Sequence, residues 1–206
     1  MTSGFDYAIF CAGGETSKKY APIAVTKNCI VIDNSSTFRM ELGVPLVVPE
    51  VNPLDIFTHK GIIANPNCST IQAVVALKPL DEKYQIKRIV YSTYQAVSGA
   101  GKSGINELEN TTIGLKCEKF PHPIFNNCLP QIDVAYKDGY YKEEIKMIEE
   151  TKKILHNQEL QVTATTVRVP VYNCHSESIN VEFEKEFVLD ELKETLINAP
   201  RCCCKR

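Results

Sequence analysis

The reading of this chain turns on Gly61-Ile62-Ile63-Ala64-Asn65-Pro66-Asn67-Cys68-Ser69-Thr70-Ile71. Gly61 to Ala64 has the apolar character of a short buried strand. Apolar residues at 71, 74, 75 and 77 then recur at helical spacing, and Pro79 is expected to end that helix. Pro66 restricts Asn65 to an extended or turned backbone. Ser69 or Thr70 can cap the helix. Cys68 therefore falls at a helix N-terminus, where unpaired N–H groups and the macrodipole favour a thiolate. Asn67 beside it could donate to a developing oxyanion. A lone cysteine next to a cap is otherwise a small apolar residue. Its context makes Cys68 a candidate nucleophile.

Working outward, 206 residues allow one large domain or two small ones, with ample core. The 23 basic and 25 acidic residues are spread along the chain and leave a net charge of only −2. Neither a nucleic-acid footprint nor a polybasic membrane patch stands out. No apolar run approaches a spanning helix, and Met1-Thr2-Ser3-Gly4 does not open a signal peptide, so a soluble, cytoplasmic protein is expected. Of nine cysteines, Cys202, Cys203 and Cys204 are consecutive. Cys11, Cys29, Cys68, Cys117, Cys128 and Cys174 lack the CxxC spacing of a zinc or redox site, so no metal is expected. The odd count and the scatter read as reduced thiols.

From the N-terminus, Asp6 to Cys11 reads as a buried strand entering Ala12-Gly13-Gly14, with a helix from about Ser17 to Lys27. Strand, glycine turn and helix make a place for a nucleotide or another anion, although a plain turn explains two adjacent glycines equally well. Cys29 to Asp33 is the next strand, running into Asn34-Ser35-Ser36-Thr37-Phe38-Arg39-Met40. Those hydroxyls and Arg39 could bind a phosphate or carboxylate, or form a capped polar loop. The proline-punctuated segment from Pro45 to Pro53 leads back to the strand before Cys68. Strands alternating with helices point to an α/β layer up to Cys68.

Beyond that helix the pattern changes. Lys87 to Val97 is β-rich and enters Ser98-Gly99-Ala100-Gly101-Lys102-Ser103-Gly104, which lacks the spacing of a P-loop. Asn106 to Thr112 looks helical, and Phe120 to Pro130 is irregular, with His122 a loop residue. Tyr140 to Asn157 is the clearest helix, with Tyr141, Ile145, Ile148 and Leu155 as its apolar stripe and charges elsewhere. Glu143 and Lys146 share a face, which by itself is a solvated pair of small value. Gln161 to Tyr172 and Ser178 to Phe183 read as strands and Leu189 to Asn198 as a closing helix. Arg168 and His175 are seven apart, so the turn at Pro170 must re-aim the chain if both serve one site.

Together these stretches resemble the phosphorylating aspartate-semialdehyde dehydrogenases. The resemblance is carried by Thr37-Phe38-Arg39-Met40, VVPEVNP at 47–53, NPNCST at 65–70 and YQAVSGAG at 94–101, and further by LPQID at 129–133, KEEIK at 142–146, and RVPV with His175-Ser176. It implies an α/β plus α+β architecture: a partial Rossmann-type NADP-binding domain at 1–68, a catalytic and dimerisation domain with a mainly antiparallel or mixed sheet at 69–200, and an unmatched tail at 201–206. It also implies a homodimer and a covalent mechanism. Cys68 would form a thioester, His175 would act as acid/base, and hydride would pass between NADP and the substrate carbon, linking 4-aspartyl phosphate to L-aspartate 4-semialdehyde and phosphate. Residue by residue, Arg168 resembles the clamp for the substrate carboxylate and Glu143 the partner of its amino group. Lys146 and Arg39 resemble the phosphate-binding cations, and Gln95 the residue orienting the acyl centre. Ser98 and Gly99 resemble the nicotinamide-side wall, and Ala12, Gly13 and Gly14 would face the dinucleotide.

Such enzymes open with a strand and a G-x-x-G-x-x-G turn that nothing before Asp6 supplies, and they continue past Ala199-Pro200. The chain thus reads as an internal portion of the enzyme, with turnover by these 206 residues expected to be impaired. Three other readings stay open at this point: a related acyl-phosphate reductase such as N-acetylglutamyl-phosphate reductase, a non-catalytic dimerisation fragment, and a Cys/His hydrolase.

Overall fold

The structure is a computed structural model and describes residues 4–116 and 118–202. The expectations for Met1 to Ser3, Cys117, Cys203 and Cys204 lie outside those residues. The chain divides into two compact units. One contains the described residues of Met1–Gln85, Glu149–Glu159 and Glu184–Arg206, the other Ile86–Ile148 and Leu160–Phe183. Residues 69–85, expected with the second domain, cluster with the first.

The first unit is built on a parallel sheet of β1 (Tyr7–Phe10), β2 (Ile30–Asp33) and β3 (Ile62–Ala64), in that order. Val31 pairs with Ala8 on one side and Ile62 on the other. Helix α1 (Gly14–Val25) begins at the last residue of the glycine turn, three residues before the expected start at Ser17. Ala21 and Ala24 of α1 pack with Cys29 and Val31 as a buried core, so small helix residues let the helix lie close to the strands. The segment after Pro45 adds one parallel bridge, Leu46 to Ala64, and buries Leu46, Val47 and Val48.

Helix α2 runs Cys68–Tyr84, so Pro79 does not end it. Proline removes the bond to the carbonyl four residues back, here Val75. That oxygen instead lies 3.8 Å from the Cys202 Sγ. The helix closes at Gln85, whose φ of 60° breaks the repeat.

The second unit holds a mixed sheet in the order β5 (Gln161–Arg168), β4 (Ile86–Gln95), β6 (Ser176–Phe183). Central β4 pairs parallel with β5 and antiparallel with β6. β5 ends at Arg168 rather than continuing to Tyr172. Helix α3 (Lys102–Thr112) starts at the glycine-rich loop and contributes Leu108 to a core with Val97, Ile124 and Leu129. Helix α4 spans Lys142–Ile154. Its first seven residues belong to this unit and the rest to the first. Its buried residues include Met147 and Ile148, but also Glu143, Glu144 and Glu150. An apolar stripe with charges only outside is therefore not what this helix presents. The closing helix, α5, runs Leu189–Asn198, as its pattern indicates. Among the described residues no helix is long and apolar enough to cross a membrane.

Candidate functional site

In the first unit, the chain leaves β3 and turns through Asn65-Pro66-Asn67 before Cys68 opens α2. The turn is fastened at each residue that can be held. Asn65 N–H donates to the Asp33 carbonyl at 2.8 Å, and its side-chain amide donates to Asn34 Oδ1 at 2.7 Å. Asn67, rather than Ser69 or Thr70, is the cap. Its Oδ1 accepts from Ser69 N–H at 2.9 Å and from Thr70 N–H at 3.4 Å. This commits the Asn67 oxygen, so any role toward an oxyanion falls to its NH2 group. Cys68 itself is exposed at the first helical position.

Glu150 was not legible from the sequence and is almost wholly buried. One oxygen accepts the Asn67 backbone N–H at 2.6 Å, and the other accepts from Arg39 Nη1 at 3.0 Å. Arg39 Nη2 donates to the Asn34 carbonyl at 3.1 Å, while its buried Nε has no hydrogen-bond partner among the described residues. Arg39, expected as a phosphate cation, is thus charge-paired within its own unit. Lys153, one turn beyond Glu150, donates to the carbonyls of Arg39, Glu41 and Val44 at 2.6, 3.2 and 2.9 Å. Burial lowers its pKa, against the pull of Glu41 and Glu150.

The Ala12-Gly13-Gly14 turn lies between β1 and α1. Gly13 has φ +89°, a conformation that favours glycine, and α1 has no side-chain cap. A Cβ at Gly14 would fall 2.9 Å from Thr37 Oγ1. A turn bare of side chains at a helix N-terminus fits the phosphates of a dinucleotide.

In the second unit the remaining candidates gather around the end of β4. Ala96, which follows β4, is the pivot: its N–H donates to His175 Nδ1 at 2.9 Å and its carbonyl accepts from Arg168 Nη1 at 2.7 Å. Cys174, at φ +69°, supplies the re-aiming that brings His175 to this point. Gly99 faces both side chains. A Cβ there would lie 2.9 Å from Arg168 Nη1 and 3.0 Å from His175 Nε2. With Nδ1 accepting, His175 is the neutral tautomer protonated on Nε2. Its pKa is lowered from 6.5, first by burial and then by Arg168, with Glu143 opposing.

Gln95 Nε2 donates to Glu143 Oε1 at 3.3 Å, and Lys146 Nζ donates to Glu143 Oε2 at 3.2 Å. Lys146 also reaches Asp133 Oδ2 at 2.8 Å, a partner the sequence did not single out beyond its place in LPQID. Burial works to lower the Lys146 pKa, but Glu143 and Asp133 outweigh it and hold it above 10.5. Burial likewise works against the Asp133 carboxylate, yet Lys146 keeps its pKa below 3.8. Glu143, Lys146, Asp133, Arg168 and Gly99 all line a cavity of about 490 Å³. Ser98 is beside it in sequence and donates its N–H to the Tyr172 carbonyl at 3.1 Å.

A parallel strand–helix layer with a bare glycine turn is the build of a nucleotide-binding unit, and the second unit is a mixed sheet carrying a polar cavity. The comparisons make that build particular. A semialdehyde dehydrogenase NAD-binding domain matches residues 1–59, and a semialdehyde dehydrogenase dimerisation domain matches residues 77–203. The chain belongs to the semialdehyde dehydrogenase family. It is 57% identical over 206 residues to the aspartate-semialdehyde dehydrogenase of Aquifex aeolicus, covering 96% of this chain and 61% of that protein. Its structure is similar, at TM-score 0.93 and 45% identity, to aspartate semialdehyde dehydrogenase II of Vibrio cholerae complexed with ASA, covering 97% of this chain and 62% of that one. It is also similar, at TM-score 0.73 and 28% identity, to the Candida albicans enzyme with NADP, covering 94% and 55%. The chain thus spans about three fifths of the length of the relatives it matches.

Proposed function

We propose that this chain carries the catalytic groups for NADPH-dependent conversion of 4-aspartyl phosphate to L-aspartate 4-semialdehyde. The observation that carries the reading is the cavity of the second unit, where Arg168, Lys146 and Glu143 stand among three cations and two carboxylates, Lys119 and Asp133 being the others. An amino acid whose side chain ends in a phosphate needs that charge set: a clamp for its carboxylate, a partner for its ammonium and a cation for its phosphate. Arg168 takes the carboxylate, Glu143 the ammonium and Lys146 the phosphate. Arg39, paired with Glu150 as Lys146 is with Asp133 and Glu143, is the second phosphate cation.

The Cys68 thiolate attacks the acyl carbon, the bond from carbon to the phosphate oxygen breaks, and phosphate leaves with the electron pair. The Ala12-Gly13-Gly14 turn in the first unit and Ser98-Gly99 in the second are the residues that would hold NADPH, which would supply the hydride for reduction at the acyl carbon. His175 gives its Nε2 proton to the oxyanion of the hemithioacetal, the Asn67 NH2 group donates to that oxygen, and Gln95 orients the acyl centre. Return of the proton to His175 as the C–S bond breaks releases the aldehyde and restores the thiolate. The match to a dimerisation domain supports a homodimer, and the odd count and scatter of the nine cysteines support a reducing, cytoplasmic setting.

Phosphate-dependent reduction of NADP by L-aspartate 4-semialdehyde tests this on the 206-residue chain and its Cys68→Ser variant. Weak turnover that disappears in Cys68→Ser is the expected result. Turnover that survives it overturns the thioester mechanism, and a folded chain with none favours a non-catalytic dimerisation fragment.

A further inference from the structure

The reaction uses Glu143 and leaves its neighbour unexplained. Glu144 is equally buried, at 6% exposure, yet is not among the residues lining the cavity. Its two oxygens do different work. Oε2 accepts the Tyr141 N–H at 2.8 Å, just before α4 begins. Oε1 accepts the Thr166 N–H at 3.1 Å, two residues before Arg168. β5 is an edge strand, so backbone groups facing away from β4 need partners outside the sheet. At 168 that partner is Leu129, through paired bonds of 2.8 and 2.9 Å. At 166 it is a single carboxylate on α4. Nearby, the Tyr140 hydroxyl lies 2.9 Å from Thr163 Oγ1 and joins the same two elements again.

We propose that Glu144 is a positioning residue that sets the spacing of the substrate's amino-acid receptor. One carboxylate ties the backbone that carries Glu143 and Lys146 to the backbone that carries Arg168. The carboxylate clamp and the ammonium partner are thereby held at a fixed separation. Binding weakens when a receptor's halves are free to drift, because their ordering is then done at the expense of affinity. An isolated helix cap would have no such effect, since it would change stability and leave affinity alone. This inference rests on the proposed function of the same cavity.

The test is calorimetric titration of L-aspartate 4-semialdehyde into the 206-residue chain carrying Cys68→Ser, which binds without forming a covalent adduct. Glu144→Gln keeps one acceptor and turns an NH2 group toward the other N–H, so Kd is expected to rise about tenfold. Tyr140→Phe removes only the second tie and should raise Kd about two- to threefold. It serves as the deciding variant if Glu144→Gln does not fold. A lower melting temperature with Kd unchanged in both variants overturns the proposal and leaves Glu144 a cap. Glu143→Gln and Arg168→Lys separate the two levels. If they weaken binding while Glu144→Gln does not, the positioning role alone fails. If neither moves Kd, or the Cys68→Ser chain does not bind, the receptor itself is wrong and the proposal falls with it.

Discussion

Two buried glutamates seven residues apart on α4 show how differently the two units use a carboxylate. Glu150, in the first unit, is saturated by protein: a guanidinium on one oxygen and a backbone N–H on the other. Glu143, in the second, accepts from Gln95 and Lys146 but also lines an open cavity. The first arrangement holds a turn in place. The second leaves a paired carboxylate bordering open space. Burial alone therefore does not separate a structural ion pair from a receptor; what lies beside the pair does.

That contrast can be broken most directly at Glu150. Glu150→Ala leaves the Arg39 guanidinium buried without its anion and should cost about 3–5 kcal/mol in a denaturant melt. Replacing both partners with leucine should recover most of that loss, because a buried pair gains little over apolar packing of similar size. A single variant as stable as the parent would show that the pair is hydrated. Lys146→Met should cost less, about 1–2 kcal/mol, since Asp133 keeps solvent contact and Gln95 still donates to Glu143.

Within the cavity, Arg168→Lys replaces a planar fork by a point charge and should raise the KM for the semialdehyde about tenfold, with kcat little changed. An unchanged KM removes Arg168 from the carboxylate clamp. Smaller still is the effect at His175, followed by NMR titration of its imidazole. Its midpoint should lie below 6.5, rise in Arg168→Gln and fall further in Glu143→Gln. A folded-state pKa below the unfolded one means that stability from this group is full above 6.5 and is lost as pH falls through the folded value. At the surface, Lys87→Met breaks a 2.9 Å pair with Glu182 between half-exposed side chains and should leave the melt unchanged within error.

Much of this was legible because local rules agree with the tertiary outcome. The alternation of strands and helices, the opening of α2 at Cys68 and the helix at 189–198 follow from periodicity and turn chemistry. Pro79 misled because a proline rule assumes an orphaned carbonyl, and Val75 finds the Cys202 thiol, 127 residues away. On α4, the surface reading of Glu143 and Lys146 failed because helical spacing cannot show that Gln95 and Asp133 close over them. Glu144 left a faint signal as a glutamate three residues after the capping position. Glu150 left none, since its partners are 111 and 83 residues away.

The backbone of Ala96 carries one more consequence. The orientations of His175 and Arg168 are both written into its N–H and C=O, atoms that every residue except proline shares. A point mutation at 96 can crowd these contacts but, short of proline, cannot delete them. Heritable damage to the alignment must therefore arrive through its neighbours, with Gly99 the exposed door: one added methyl group there meets both side chains. The alignment is mutationally robust at its hinge and fragile three residues further on.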